Sequence, residues 1–169
     1  MILADTSVWV DHLRAGEATL ARLLDAGAVL VHPFVIGELA LGHLRQRATV
    51  LGALSDLPRA KAATDDEVLL FIDSHALFGR GVGYVDAHLL AGTRLTEGAV
   101  LWTRDRRLHG VAAGLGLAFA PGGSQRRRRS HAQLFSSMGR RALRRQERPR
   151  MTGAPPPSQA KAAAISLPR

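Results

Sequence analysis

Cysteine is absent from the chain, so no disulfide braces it and no thiolate can hold zinc. Long apolar runs are missing too, and no stretch approaches the ~20 residues a bilayer-spanning helix needs. The start has no basic segment, and Asp5 and Asp11 break its apolar run, unlike a secretory leader. A cytoplasmic location and no membrane partner are expected. Histidines are scattered: His12, His32, His43, His75, His88 and His109 include no pair at i, i+4, the spacing of a helical metal site. Gly79-Arg80-Gly81-Val82-Gly83 lacks the Lys-Ser/Thr of a phosphate loop. Aromatics are scarce, and Trp9 and Trp102 read better as core packing than as base-stacking platforms.

Apolar residues nevertheless make up 46% of the 169 positions, enough for one core. The net charge of +9 is unevenly placed. Met1–Pro121 holds 11 basic and 13 acidic residues, a net of −2, whereas Gly122–Arg169 holds 12 basic residues and one Glu, a net of +11. A near-neutral domain over residues 1–121 is therefore joined to a basic tail over 122–169.

The first part alternates short apolar runs with helical patterns, as a parallel α/β fold does. Met1–Ala4 reads as a buried strand ending in Asp5-Thr6-Ser7, a helix-capping run. Helices are expected over Ala18–Asp25, Pro33–Arg45, Ala48–Leu54, Val68–Phe78, Val85–Leu95 and Arg106–Ala113, and strands at Val29–Val31, Val100–Thr103 and Leu117–Ala120. Asp65-Asp66-Glu67 places negative charge where a helix dipole favours it. Beyond Pro121 the pattern fails: Arg126–Arg129 is a solid basic run, and Leu134, Phe135, Met138, Ala142 and Leu143 suggest at most one short amphipathic helix. The remaining tail is expected to be disordered, having too few apolar groups to offset chain entropy.

Four acids stand out. Asp5 and Asp105 each follow the carboxyl end of an expected strand, the edge where open α/β sheets bind ligands. Glu38 and Asp86 lie on helices with apolar neighbours, Phe34 and Leu41 for one and Leu89 and Leu90 for the other, which suggests carboxylates turned toward the sheet. Each also has a plainer reading. Asp5, Asp105 and Asp86 suit helix caps, and Glu38 suits an ion pair with Arg45. Residue types and spacing alone leave caps and metal ligands both open.

The surrounding sequence adds weight to one side. Asp5-Thr6-Ser7-Val8-Trp9-Val10-Asp11-His12-Leu13-Arg14, Pro33 with Gly37-Glu38-Leu39 and Gly42, Gly83-Tyr84-Val85-Asp86-Ala87-His88, and Leu101-Trp102-Thr103-Arg104-Asp105-Arg106-Arg107-Leu108 resemble, in order and spacing, the four acidic motifs of PIN-domain ribonucleases of the VapC toxin type. The resemblance covers Met1 to about Pro121. It implies an α/β/α sandwich around a central parallel sheet. It makes Asp5, Glu38, Asp86 and Asp105 the metal-binding and catalytic centre, with Thr6, Ser7 and Thr103 as polar support. It also implies Mg²⁺ with Mn²⁺ as substitute, an RNA substrate cut by metal-activated water, a cognate VapB antitoxin and a homodimer. Carboxylates of this kind suit hard cations that activate water. Arg104, Arg106 and Arg107 are candidates to hold the RNA backbone.

The family pattern ends near the last strand, so the tail departs from it. Two readings of the tail stand side by side, a non-specific RNA-binding arm and an accidental extension. The competing function is a catalytically silent PIN fold that binds nucleic acid through that tail.

Overall fold

A computed structural model describes residues 1–121. The expectations for the basic tail, including a helix across Leu134–Leu143, fall outside the described residues.

Three short strands form one parallel sheet: β1 (Ile2–Ala4), β2 (Val29–Leu30) and β3 (Val100–Trp102), in the order β2-β1-β3. Ile2 pairs with Val29 and Val100, Leu3 with Leu30 and Leu101, and Ala4 with Trp102. All three β1 residues are buried, so both faces of the central strand need covering, the usual state of parallel sheets. The Met1 carbonyl accepts from Val100 N at 3.0 Å and its amino group donates to Gly98 O at 3.2 Å. The first residue of the chain is thus tied into the middle of the fold. Single bridges extend the sheet, Val31 with Arg59 on one side and Leu101 with Ala118 on the other. The strand expected over Leu117–Ala120 is reduced to that second bridge, held by Leu101 N to Leu117 O at 2.7 Å and Phe119 N to Leu101 O at 2.8 Å.

Among the described residues, seven helices surround the sheet: α1 (Thr6–Ala15), α2 (Ala18–Asp25), α3 (Pro33–Leu41), α4 (Arg47–Ser55), α5 (Asp65–Ser74), α6 (Tyr84–Leu95) and α7 (Arg106–Gly114). Two stop earlier than their patterns suggest. α3 ends at Leu41 because Gly42 turns extended, and Arg47 reaches back to the Ala40 carbonyl at 3.0 Å to satisfy the frayed end. α5 ends at Ser74, where the next residues are His75, bonded through its ring to Phe71 O at 3.0 Å, and Ala76, at a left-handed φ of 48°. The Asp65-Asp66-Glu67 run does open α5, within a capping box between Thr64 and Glu67. α6 is buried from Ala87 to Thr93 and packs on β3 and α5, so it is a core helix. Both tryptophans are core residues. Among the described residues no helix is long and apolar enough to cross a membrane.

Candidate metal centre

The site begins with the register of β1 and β3. Because Ala4 lies opposite Trp102, the next residues, Asp5 and Thr103, leave the sheet side by side, and Asp5 N still donates to Trp102 O at 2.9 Å. Both are buried. Asp5 is fully engaged: Oδ1 accepts from Thr6 N at 2.6 Å, and Oδ2 accepts from Ser7 Oγ at 2.6 Å and Thr103 Oγ1 at 2.7 Å. Thr103 Oγ1 in turn accepts from Asp105 N at 3.0 Å. One threonine hydroxyl therefore links the carboxylate after β1 to the turn that begins α7.

Three of the four acids cap helices. Asp5 is the N-cap of α1, Asp105 accepts from Arg107 N at 2.7 Å and Leu108 N at 2.9 Å as N-cap of α7, and Asp86 accepts from Gly83 N at 2.8 Å in the first turn of α6. The plain reading of these aspartates is correct, yet it leaves room for more. Asp86 Oδ1 and Asp105 Oδ2 have no hydrogen bond among the described residues, and each sits at a helix N-terminus, where the dipole favours negative charge.

Glu38 differs from expectation. It is exposed in the last turn of α3, beside Leu41, which is 92% exposed, and Phe34, at 38%. Leu41 faces outward and Phe34 packs sideways on the rings of His32 and His88, because α3 turns Val35 and Leu39 to the core. It pairs with no arginine among the described residues; Thr6 Oγ1 donates to Glu38 Oε2 and draws it toward the start of α1.

Asp86 joins the set electrostatically. Burial pushes its carboxyl above the usual carboxylate range, and the charges of Asp5, Asp105 and Glu38 push it further, against the hydrogen bond from Gly83. Of the four carboxylates, Asp86 thus feels the charge of the other three. The described residues include no three His, Asp or Glu side chains already at metal-holding distances. Mg²⁺ keeps several waters and is ordinarily held by one or two carboxylates directly, so an open set of hard oxygens fits it. A cation here would relieve the repulsion that Asp86 carries.

Arg104 is engaged within the fold. It pairs with Asp11 at 3.2 Å and with Glu17, and its guanidinium lies 5.5 Å from the Trp102 ring centre. It fastens β3 to α1 and the turn before α2. The sequence reading also missed a cluster behind the site. His32, the N-cap of α3, and His88 of α6 are both buried, with ring centres 6.4 Å apart. The His88 ring meets Phe34 and Tyr84 edge-on at 4.5 and 4.7 Å, binding α3 to α6 and so Glu38's helix to Asp86's. Burial and the neighbouring His88 push the His32 imidazole down to about 4, so it is neutral at physiological pH. The available signal was His32 standing between a strand end and Pro33, the position of an N-cap.

Comparison with known proteins gives a consistent picture. The profile of the family described as PIN domain matches residues 2–114. Two proteins named Ribonuclease VapC32, from Mycobacterium tuberculosis strains CDC 1551 / Oshkosh and ATCC 25618 / H37Rv, are each 50% identical over 120 residues, which is 71% of this chain and 97% of theirs.

Proposed function

The chain belongs to the PIN-domain family, and on that premise we propose that it is a divalent-metal-dependent endoribonuclease, the toxin of a VapBC-type pair. What supports the reading is that the charges of Asp5, Asp105 and Glu38 all act on half-buried Asp86, with Asp5 standing at the carboxyl end of β1. When bound there, Mg²⁺ or Mn²⁺ would supply Lewis acidity, acidifying water and neutralising charge on the phosphate. Asp5, Glu38, Asp86 and Asp105 would hold the cation. Asp5 is the fixed member, because three donors lock its carboxylate. Exposed Glu38 and Asp105 have freedom to adjust. Thr103 holds Asp5 and Asp105 in mutual register, and Thr6 tethers Glu38.

A cavity of about 980 Å³ runs between α1, α2 and α3 and the turn to α4, lined by apolar Val10, Leu13, Leu39 and Val50 and reaching Thr6 and Glu38. We assign it to the cognate antitoxin, whose amphipathic helix would fill it and end beside the acids.

The test is incubation of total bacterial RNA with the purified chain in Mg²⁺ or Mn²⁺, beside Asp5→Ala and an EDTA control. Discrete products that vanish in both controls support the proposal. Intact RNA from a folded, antitoxin-free protein would favour a silent binding module that acts through the tail.

Two further outcomes are expected. Thr103→Val removes a donor to Asp5 and an acceptor for Asp105 N, and should raise the Mg²⁺ concentration for half-maximal cleavage by about 10–100-fold, with Thr103→Ser near wild type. An unchanged Mg²⁺ titration would remove Thr103 from the centre. A chain ending at Pro121 should fold and cleave like the full chain, since the relatives match over 120 residues at 97% of their own length. Loss of soluble folding in that truncation would give the tail a structural role.

A further inference from the structure

The loop before α6 and the first turn of α7 meet at one point. Gly81 has a φ of +74°, and a Cβ there would stand 3.0 Å from Arg107 Cδ and 3.5 Å from its Nε and Nη1. The Arg107 side chain is therefore laid along the loop, from its stem to its guanidinium. Two residues on, Gly83 N holds Asp86; two residues before Arg107, Asp105 caps α7 and accepts from Arg107 N. The guanidinium thus lies between the segments that carry two of the four acids. Yet among the described residues it forms no ion pair and no side-chain hydrogen bond. Arg104, three positions earlier, is held by two acids and an aromatic face. One arginine of this run is built into the scaffold. Arg107, like Arg106, is an exposed, permanent cation with no ion pair among the described residues, and of the two it is Arg107 whose stem lies against the Gly81 backbone.

We propose that Arg107, positioned by Gly81, grips a phosphodiester of the substrate beside the bond that is cut. The inference rests on the ribonuclease reading. A planar guanidinium binds phosphate oxygens through paired hydrogen bonds, and a phosphate drawn to it lies next to the acids without competing for them. Gly81 serves the same end, because a Cβ there, besides being strained at a left-handed φ, would push the Arg107 stem outward by a few tenths of an ångström.

The test is steady-state cleavage by the full-length chain of one RNA oligonucleotide containing a mapped cut site, in saturating Mg²⁺, with melting temperatures measured alongside. Arg107→Met keeps the stem and removes the charge. It should raise KM about tenfold or more, with kcat changed far less, an unchanged melting temperature, and a salt slope of kcat/KM shallower by ~0.7. Arg107→Lys should recover part of the loss. Gly81→Ala should raise KM as Arg107→Met does and add little to it in the double variant. Wild-type KM in Arg107→Met would overturn the proposal and leave the ribonuclease reading standing. A wild-type chain that cuts no RNA would overturn both.

Discussion

Asp86→Asn should lower RNA cleavage by about 10²–10⁴-fold while raising the melting temperature of the metal-free protein. The two effects share one cause. An amide oxygen can still accept from Gly83 N, so the capping contact at the start of α6 survives the exchange. What disappears is a half-buried charge facing those of Asp5, Asp105 and Glu38. Burial and those neighbours raise the folded carboxyl above its ordinary value of 3.8, so the native state binds that proton more tightly than the unfolded chain does. The penalty on the fold is then fully present above the raised native value and fades as the pH falls through it to the ordinary carboxylate range. In EDTA, the variant should melt above wild type near neutral pH, and the gap should close on acidification. Adding Mg²⁺ should reverse the order, because a cation that binds only the native wild type stabilises it by mass action. Thermal melts at neutral and acidic pH, with and without Mg²⁺, read all of this. A variant that melts below wild type in EDTA would make Asp86 a capping residue and nothing else.

The second large effect lies behind the site and runs against helix propensity. Gly92→Ala places a better helix former inside α6, worth about 1 kcal/mol in an exposed helix. Here it should instead destabilise the protein by about 1–3 kcal/mol net, because the new methyl has nowhere to go. A Cβ at Gly92 would stand 2.7 Å from the Lys61 backbone oxygen and 3.4–3.5 Å from the His32 ring. Neither neighbour yields easily. Lys61 N is bonded to Thr96 Oγ1 at 2.9 Å and Ala60 N to Val31 O at 3.0 Å, so the segment is pinned immediately before the contact. His32 is buried and begins α3. Relief of the clash would shift α6 against α3, the two helices that carry Asp86 and Glu38, so weaker Mg²⁺ binding should accompany the lower denaturation midpoint. Equal or greater stability in urea would show that the Lys61 segment is softer than its hydrogen bonds suggest.

Much of the architecture was legible because the local signals agree with the global fold. Ile2–Ala4 and Val100–Trp102 are short apolar runs ended by capping residues, and both became buried parallel strands. The family and its fold followed from four motifs in register. The acids were harder to read, because capping and metal binding favour the same residue at the same place. Asp5 shows why the two readings could not be separated by spacing: it caps α1 while standing at the sheet edge that binds ligands. Glu38 was misjudged because the helical stripe of Phe34 and Leu41 was assigned to the interior, and only tertiary packing shows that Val35 and Leu39 take it. The division of labour between Arg104 and Arg107 was illegible for the same reason. The first is decided by Asp11 and Glu17, far away in sequence, and the second by a glycine in another loop.

The place of Met1–Ala4 has a consequence for synthesis. These residues leave the ribosome well before Val100, yet they form the central strand, and one of its two neighbours, β3, begins only at Val100. Asp5 waits for Thr103, across 98 positions, before its last hydrogen-bond donor arrives. Long-range parallel pairing of this kind forms late, after most of the chain is available. The growing polypeptide therefore carries three of its acids without a site, and the fourth emerges almost together with the strand that gathers them. A product terminated before Val100 would lack the strand that brings Thr103 and Asp105 beside Asp5.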